Sequence, residues 1–437
     1  MDLLVICHPG FLYQVKKLAG FKSGSGISTA VVTTDGVEAH CLGRDLAEKM
    51  KKCAGDYMKK RGTTSLLLVG SPDLVPTRYA FCPDLEYLSV EEALRIEKRS
   101  RRAPGSPEYE RYYVPTDLYY ANQADDWDIN RNGVYGEVRA LTGLDRDEGG
   151  FTSQLAVGRI PARRESDLAL VVDKIARYQP LETLHALFIS ATRDAGREFE
   201  GDAWIEHLIP ELEGGWTVKV VGEGHSQCNA KGISGLLDEG EYSIVVAVTH
   251  GLPFALVVDS LKRLQVLDSR RVDLAGAESV MLESEKIKKA EWYSRELLPA
   301  LLDTRAIAGL KNDGPFFFLG FGCYISAFDY RPHYSVVGQF VMQEHGAIAA
   351  CGLSRDVPAV MYAEYQAALN RTGGLQFEIG DSMLLNLCNR KMAFGSALGR
   401  SLGDYAEKHP ELMGLNAHRR AAFGMTLVGD PTLSLFR

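Results

Sequence analysis

Two apolar runs in the second half of the chain end in reactive side chains beside glycine. Ser243-Ile244-Val245-Val246-Ala247-Val248-Thr249 leads into His250-Gly251, and Phe316-Phe317-Phe318-Leu319-Gly320-Phe321-Gly322 leads into Cys323. Neighbouring strands of a parallel sheet end at the same edge, where active sites gather. A thiol and an imidazole on that edge make a nucleophile–base dyad, in which the imidazole generates or stabilises the attacking thiolate. Gly251 leaves room for a substrate backbone, and the N–H groups of Gly251 and Cys323 are candidate oxyanion donors. Singly, a strand-end cysteine is packing and a histidine is a hydrogen-bonded structural residue. The matched strands and adjoining glycines are what favour chemistry. Other candidates read as structural. Cys7-His8 are sequence neighbours that point to opposite faces of a strand. Cys351-Gly352 has no further His-Gly strand end to partner it, and His345-Gly346 reads as a helix end.

A second constellation is Asp126-Trp127-Asp128-Ile129-Asn130-Arg131-Asn132-Gly133, with Glu137 beyond. Asp126, Asp128, Asn130, Asn132 and Glu137 carry oxygens that can converge on calcium, and Glu137 is twelfth from Asp126, as in an EF-hand. Arg131 stands where that loop needs glycine, which argues against an ordinary EF-hand. Two readings stay open: an irregular loop holding a structural or activating calcium, and an Asx-rich turn.

These residues need elements to position them. Leu3–Cys7, Ala30–Thr33, Leu66–Val69, Ser153–Val157, Ala186–Ala191, Trp216–Val221, Ile244–Val248, Phe316–Leu319 and Ala347–Ala350 read as buried strands. Helical periodicity fills many gaps between them, as in Arg44–Lys59 and Asp167–Tyr178. Continuous apolar strands bounded by helices imply a doubly wound α/β sheet. Residues 92–113 form a basic, proline-rich insertion. The turn over 178–183 divides the chain into an N-terminal α/β subdomain, 1–180, and a catalytic one, 181–437. The long connection from Leu252 to Gly314 exceeds an ordinary loop. It is expected to be a lid with one or two helices, such as Lys289–Leu302.

Composition sets the outer bounds. The chain has 437 residues, 46% hydrophobic and 24% charged, which suits about two globular subdomains. A formal net charge of -8 argues against nucleic-acid binding. Eight cysteines without a CxxC pair suit neither a disulfide scaffold nor a zinc site. No apolar run is long enough to span a membrane. The start, Met1-Asp2-Leu3-Leu4-Val5, reads as a core strand rather than a leader, so a cytoplasmic protein is expected, or a secreted one whose leader has been removed.

The sequence resembles the gingipain family of cysteine peptidases across almost the whole chain. The resemblance runs through Ile6-Cys7-His8-Pro9-Gly10-Phe11-Leu12, Leu67-Leu68-Val69-Gly70-Ser71-Pro72-Asp73-Leu74-Val75-Pro76 and Pro115-Thr116-Asp117-Leu118-Tyr119-Tyr120-Ala121. It continues at Val157-Gly158-Arg159-Ile160-Pro161-Ala162 and Val428-Gly429-Asp430-Pro431-Thr432-Leu433. It implies a caspase-like three-layer α/β sandwich with mainly parallel sheets and two fused subdomains. It also implies a cysteine endopeptidase acting on protein or peptide substrates, with Cys323 as nucleophile and His250 as general base. Asp194 is the candidate to orient His250, although literal alignment puts Arg193 there. Asp202, within Glu200-Gly201-Asp202, is similar to the acid of the primary specificity pocket and implies cleavage after Arg or Lys. A helix N-terminal acid is the structural alternative. A transpeptidase of the same family, or a catalytically silent regulatory module, are the rival functions. The chain departs from typical members in its longer His-to-Cys connection and the lack of a visible leader or immunoglobulin-like module.

Overall fold

The computed structural model describes residues 1–82, 112–137, 150–191, 201–258, 298–331, 333–357, 375–410 and 416–436. Its strands are β1 (Leu3–Cys7), β2 (Thr29–Thr33), β3 (Ser65–Val69), β4 (Arg78–Phe81), β5 (Tyr113–Thr116), β6 (Ala156–Ile160) and β7 (His185–Ala191). They continue with β8 (Thr217–Gly222), β9 (Ile244–Leu252), β10 (Ala255–Val257), β11 (Leu301–Asp303), β12 (Phe316–Gly320), β13 (Ala347–Leu353) and β14 (Met425–Val428). In β1, β3, β12 and β13 every residue is buried, as a strand covered on both faces requires.

Among the described residues, 12 strands form one sheet in the order β11-β10-β9-β12-β13-β14-β6-β3-β1-β2, with β7 and β8 branching from β9. The pairings β7–β8, β7–β9, β9–β12, β12–β13, β14–β6, β6–β3, β3–β1 and β1–β2 are parallel. The pairings β13–β14, β9–β10 and β10–β11 are antiparallel. Apart from β4 and β5, which pair antiparallel as a separate two-stranded sheet, strands from before residue 180 occupy one half of the sheet and later strands the other. The halves meet at the single pair Val428↔Arg159.

Across the junction the Gly429 N–H donates to the Arg159 carbonyl, and the Arg159 side chain is fixed on the N-terminal side. Its guanidinium donates to both carboxylate oxygens of Asp117, at 2.6 and 2.8 Å, and to the carbonyls of Gly70, Val75 and Pro76. The side chain is 1% exposed, and the fork geometry leaves the buried charge fully paired. Next to it, a Cβ on Gly158 would stand 2.4 Å from the Gly429 carbonyl oxygen. This corrects the strand expected over Ser153–Val157. The strand runs over Ala156–Ile160 because a tertiary contact needs the glycine and a partner neutralises the arginine.

Three further expectations change. Trp216–Val221 is not a buried strand: β8 has one neighbour, β7, and Thr217, Lys219 and Val220 are exposed. The helix expected over Lys289–Leu302 fails at its C-terminal end. Leu301–Asp303 form β11, drawn into the sheet by pairing with β10, while residues 289–297 lie outside the described residues. The third is β9, which does not stop before His250: His250, Gly251 and Leu252 stay in the strand and pair with Val257, Leu256 and Ala255 of β10.

The helices over Arg44–Lys59 and Asp167–Tyr178 form as Leu46–Arg61 and Glu165–Arg177. Asp45 caps the first by accepting from the Glu48 N–H at 2.8 Å, and Gly62 ends it at φ 68°. Most of the insertion over 92–113 lies outside the described residues.

Candidate catalytic site

Parallel pairing of β9 with β12 sets the height of the two reactive residues. Ala247 is paired with Gly320, and His250 and Cys323 each follow three residues later on the same sheet edge. The strand ends touch there. A Cβ on Gly251 would lie 2.5 Å from the Cys323 carbonyl oxygen and 3.0 Å from the Gly322 carbonyl carbon. A Cβ on Gly322 would lie 3.1 Å from the Gly251 Cα and from the Thr249 oxygen. His250 and Cys323 both remain partly exposed.

The glycines have a packing reason as well. Ile325 is fully buried, and its side chain fills the space beside Gly251, Gly320, Gly322 and Gly352. Any added methyl there would stand 2.4–3.1 Å from an Ile325 carbon. The wall below Cys323 is aromatic. Phe321 lies 5.2 Å from Trp204 and 5.9 Å from Phe377, centroid to centroid, and Gly380 admits its ring edge. Helices Gly201–Leu208 and Leu375–Cys388 therefore pack against Phe321, two residues before Cys323.

The surroundings of the thiol act on its ionisation in both directions. Burial pushes the Cys323 pKa up, and the Asp356 carboxylate adds to the rise. The Arg420 guanidinium opposes it, and the Sγ–H donates to the Val357 carbonyl at 3.8 Å. The residue after Cys323, Tyr324, adopts φ 62°, a left-handed conformation that side chains rarely take. Asp356, Arg420, Tyr324 and Ile325 are absent from the sequence reading. The signal for Asp356 was the rival strand end Cys351-Gly352, because β13 neighbours β12 and delivers the next residues to the same edge.

The other sequence candidates fall elsewhere. Asp194 lies outside the described residues, as does Arg193. Asp202 sits in the first turn of Gly201–Leu208, against Gly222 at the end of β8, where a Cβ would lie 2.9 Å from its Oδ1. Two strand steps, β8–β7–β9, separate that position from the His250 strand, about 10 Å in a sheet.

The Asp126–Glu137 segment is internally bonded. The Asn130 and Asn132 amides donate to Glu137 Oε2 at 3.1 and 2.7 Å. Asp126 and Asn130 each accept from the backbone two residues on, as Asx turns do. Asp128 accepts from Arg44 at 2.5 Å. No group of three or more His, Cys, Asp or Glu gathers as a metal-ligand set among the described residues. Among the rival residues, His345-Gly346 is not a helix end, since the preceding helix stops at Val341 and the pair lies in the bends before β13. The structural readings of His8, Cys7 and Cys351 hold. His8 caps a short helix by accepting from the Gly10 N–H at 3.2 Å, and Cys7 and Cys351 are fully buried.

The model of peptidase family C25 matches residues 1–219 and 286–436, which include Cys323. The chain belongs to peptidase family C25. This C25 chain is thus a gingipain-type cysteine peptidase. No curated protein matches the sequence. Among solved structures it is similar to the Arg-specific cysteine proteinase gingipain R, RgpB, with TM-score 0.62 and 14% identity over 99% of this chain and 78% of that one. It is equally similar to the complex of Porphyromonas gingivalis RgpB pro- and mature domains, with TM-score 0.62 and 14% identity over 100% and 80%. A third structure, named only as a protease, gives TM-score 0.62 and 16% identity over 99% and 78%. The expected caspase-like α/β architecture is the one this C25 peptidase has. No helix among the described residues is long and apolar enough to cross a membrane.

Proposed function

We propose that this C25 peptidase cleaves internal peptide bonds through Cys323 and His250. The observation that supports it most is the contact between their strand ends, Gly251 against the Cys323 carbonyl, at matched register. Substrate binding brings the scissile carbonyl over the thiol. His250 takes the Sγ proton as sulfur attacks, and an acyl-enzyme forms when the protonated amine leaves. Water, deprotonated by His250, releases the acid. The N–H groups of Gly251 and Cys323 are the proposed oxyanion donors.

A preference for Arg or Lys at the cleaved bond rests on Asp202, whose helix also carries Trp204 against Phe321. The role of Asp194 in orienting His250 rests on the family resemblance. Mass spectrometry of a peptide library treated with wild type and with Cys323→Ala tests the whole reading. Cleavage by wild type alone supports it, and retained cleavage by the variant sinks it. A cleavage profile dominated by apolar residues removes the Asp202 assignment.

Calcium is a separate proposal at Asp126, Asp128, Asn130, Asn132 and Glu137. A bound ion has to displace Arg44 from Asp128 and turn both amides over. A melting temperature that rises when calcium is returned to chelator-treated protein supports it; unchanged melting and activity dismiss it. Cytoplasmic residence and the division at residue 180 are likewise proposals, tested by cell fractionation and limited proteolysis.

A further inference from the structure

The turn carrying Cys323 is fastened to the segment that follows β13. The Tyr324 N–H donates to the Arg355 carbonyl at 3.4 Å, and the Ser326 N–H to the Leu353 carbonyl at 2.9 Å. The Tyr324 hydroxyl donates to Asp356 Oδ1 at 3.2 Å. Asp356 is itself gripped. Its Oδ1 accepts from Arg420 Nη2, and its backbone oxygen accepts from Arg420 Nε at 3.1 Å. Arg420 is 1% exposed, and its Nη1 donates to the Cys82 carbonyl at 2.6 Å. The Asp356 side chain is 34% exposed, so the carboxylate looks out beside the nucleophile.

A tyrosine at φ 62° costs about 1–2 kcal/mol and persists only when its surroundings hold it. We propose that Asp356 is a positioning residue for Cys323: held by Arg420, it grips the Tyr324 hydroxyl and locks the left-handed turn that aims the thiol. The proposal rests on Cys323 being the nucleophile. The charge matters as well as the shape. Asp356 and Arg420 act on the thiol with opposite sign, the carboxylate raising its pKa and the guanidinium lowering it. Among the described residues, the charged and titratable groups on the elements packed round this turn include Asp356 and Arg355 after β13, Arg420, Asp329 and Tyr324, and His250 on β9.

The test compares wild type, Asp356→Asn, Asp356→Glu and Tyr324→Phe in two assays. One is alkylation of Cys323 by iodoacetamide from pH 5 to 10, read by mass of the Cys323 peptide. The other is peptide turnover. Asp356→Asn removes the carboxylate's own upward push on the thiol, so its alkylation midpoint moves to lower pH by roughly half to one unit. Its kcat falls about tenfold with KM nearly unchanged, because a neutral amide oxygen grips Tyr324 and Arg420 less strongly than a carboxylate does. Asp356→Glu restores the midpoint and most of kcat. Tyr324→Phe removes one hydrogen bond and no charge, so kcat falls several-fold at an unchanged midpoint. A wild-type midpoint and kcat in Asp356→Asn overturn the proposal, as does an effect confined to KM. If Asp356→Asn fails to fold, Tyr324→Phe decides, and unchanged kcat there overturns it. Retained cleavage by Cys323→Ala is a different failure, of the nucleophile assignment itself.

Discussion

Gly251 and Cys323 meet backbone to backbone, so close that a Cβ on Gly251 would stand 2.5 Å from the Cys323 carbonyl oxygen and 2.4 Å from Ile325 Cγ2. The strand end that carries His250 and the turn that carries Cys323 are therefore one packed unit. Shifting either shifts the other.

Gly251→Ala should act through this contact. Overpacking against backbone and a fully buried isoleucine costs about 1–3 kcal/mol. The displaced Cys323 should lower kcat by about a hundredfold. Denaturant midpoint and turnover, measured together, check both effects. A variant with wild-type turnover would show that the two strand ends do not depend on each other.

His250→Ala should lower kcat/KM by about 10²–10⁴, the usual worth of a general base. Its residual activity should depend on pH in a defined direction. Burial raises the Cys323 pKa, so the thiolate is scarce at neutral pH and grows about tenfold per unit as pH rises. The variant should therefore gain activity steeply between pH 7 and 9, while wild type should not. A flat profile in the variant would remove His250 as the base.

Arg159→Met should destabilise the fold by about 3–5 kcal/mol, the range for removing one partner of a buried ion pair. It strands the Asp117 carboxylate and the carbonyls of Gly70, Val75 and Pro76. Urea unfolding of the purified variant measures it. A loss under 1 kcal/mol would mean that water enters and satisfies these groups.

Lys174 should make stability depend on pH. It is 3% exposed and donates to the carbonyls of Val341, Gln343 and His345 at 2.9, 2.7 and 3.1 Å. Burial pulls its pKa down to about 7. The unfolded chain holds that proton to about 10.4. Between these values the unfolded state binds more protons, so this group makes native stability rise with pH. Below about 7 its contribution is flat. Melting curves from pH 6 to 9 should show the rise in wild type and a smaller one in Lys174→Met. Equal slopes would show that the three carbonyls keep the lysine charged.

Much of the architecture was legible because hydrophobic runs report burial locally. Leu3–Cys7 and Phe316–Leu319 need no partner to be recognised as strands covered on both faces. The same locality explains the errors. Val157-Gly158-Arg159-Ile160 reads as a strand breaking up, because the Asp117 partner is 42 residues away and the Gly429 contact lies at the other end of the chain. Leu301 and Leu302 read as a helix because their sheet partner, β10, lies across the long connection.

By itself the sequence determined that His250 and Cys323 end apolar runs beside glycine, and that such ends collect on one edge of a parallel sheet. Residue type and run length settle that much, since both are properties of contiguous chain. Only the tertiary structure decided that β9 and β12 are neighbours in matched register, that Ile325 fills the space beside the glycines, and that Asp356 and Arg420 flank the thiol. These relationships join residues from four separated segments, and their geometry comes from close packing, which no periodicity in the chain encodes.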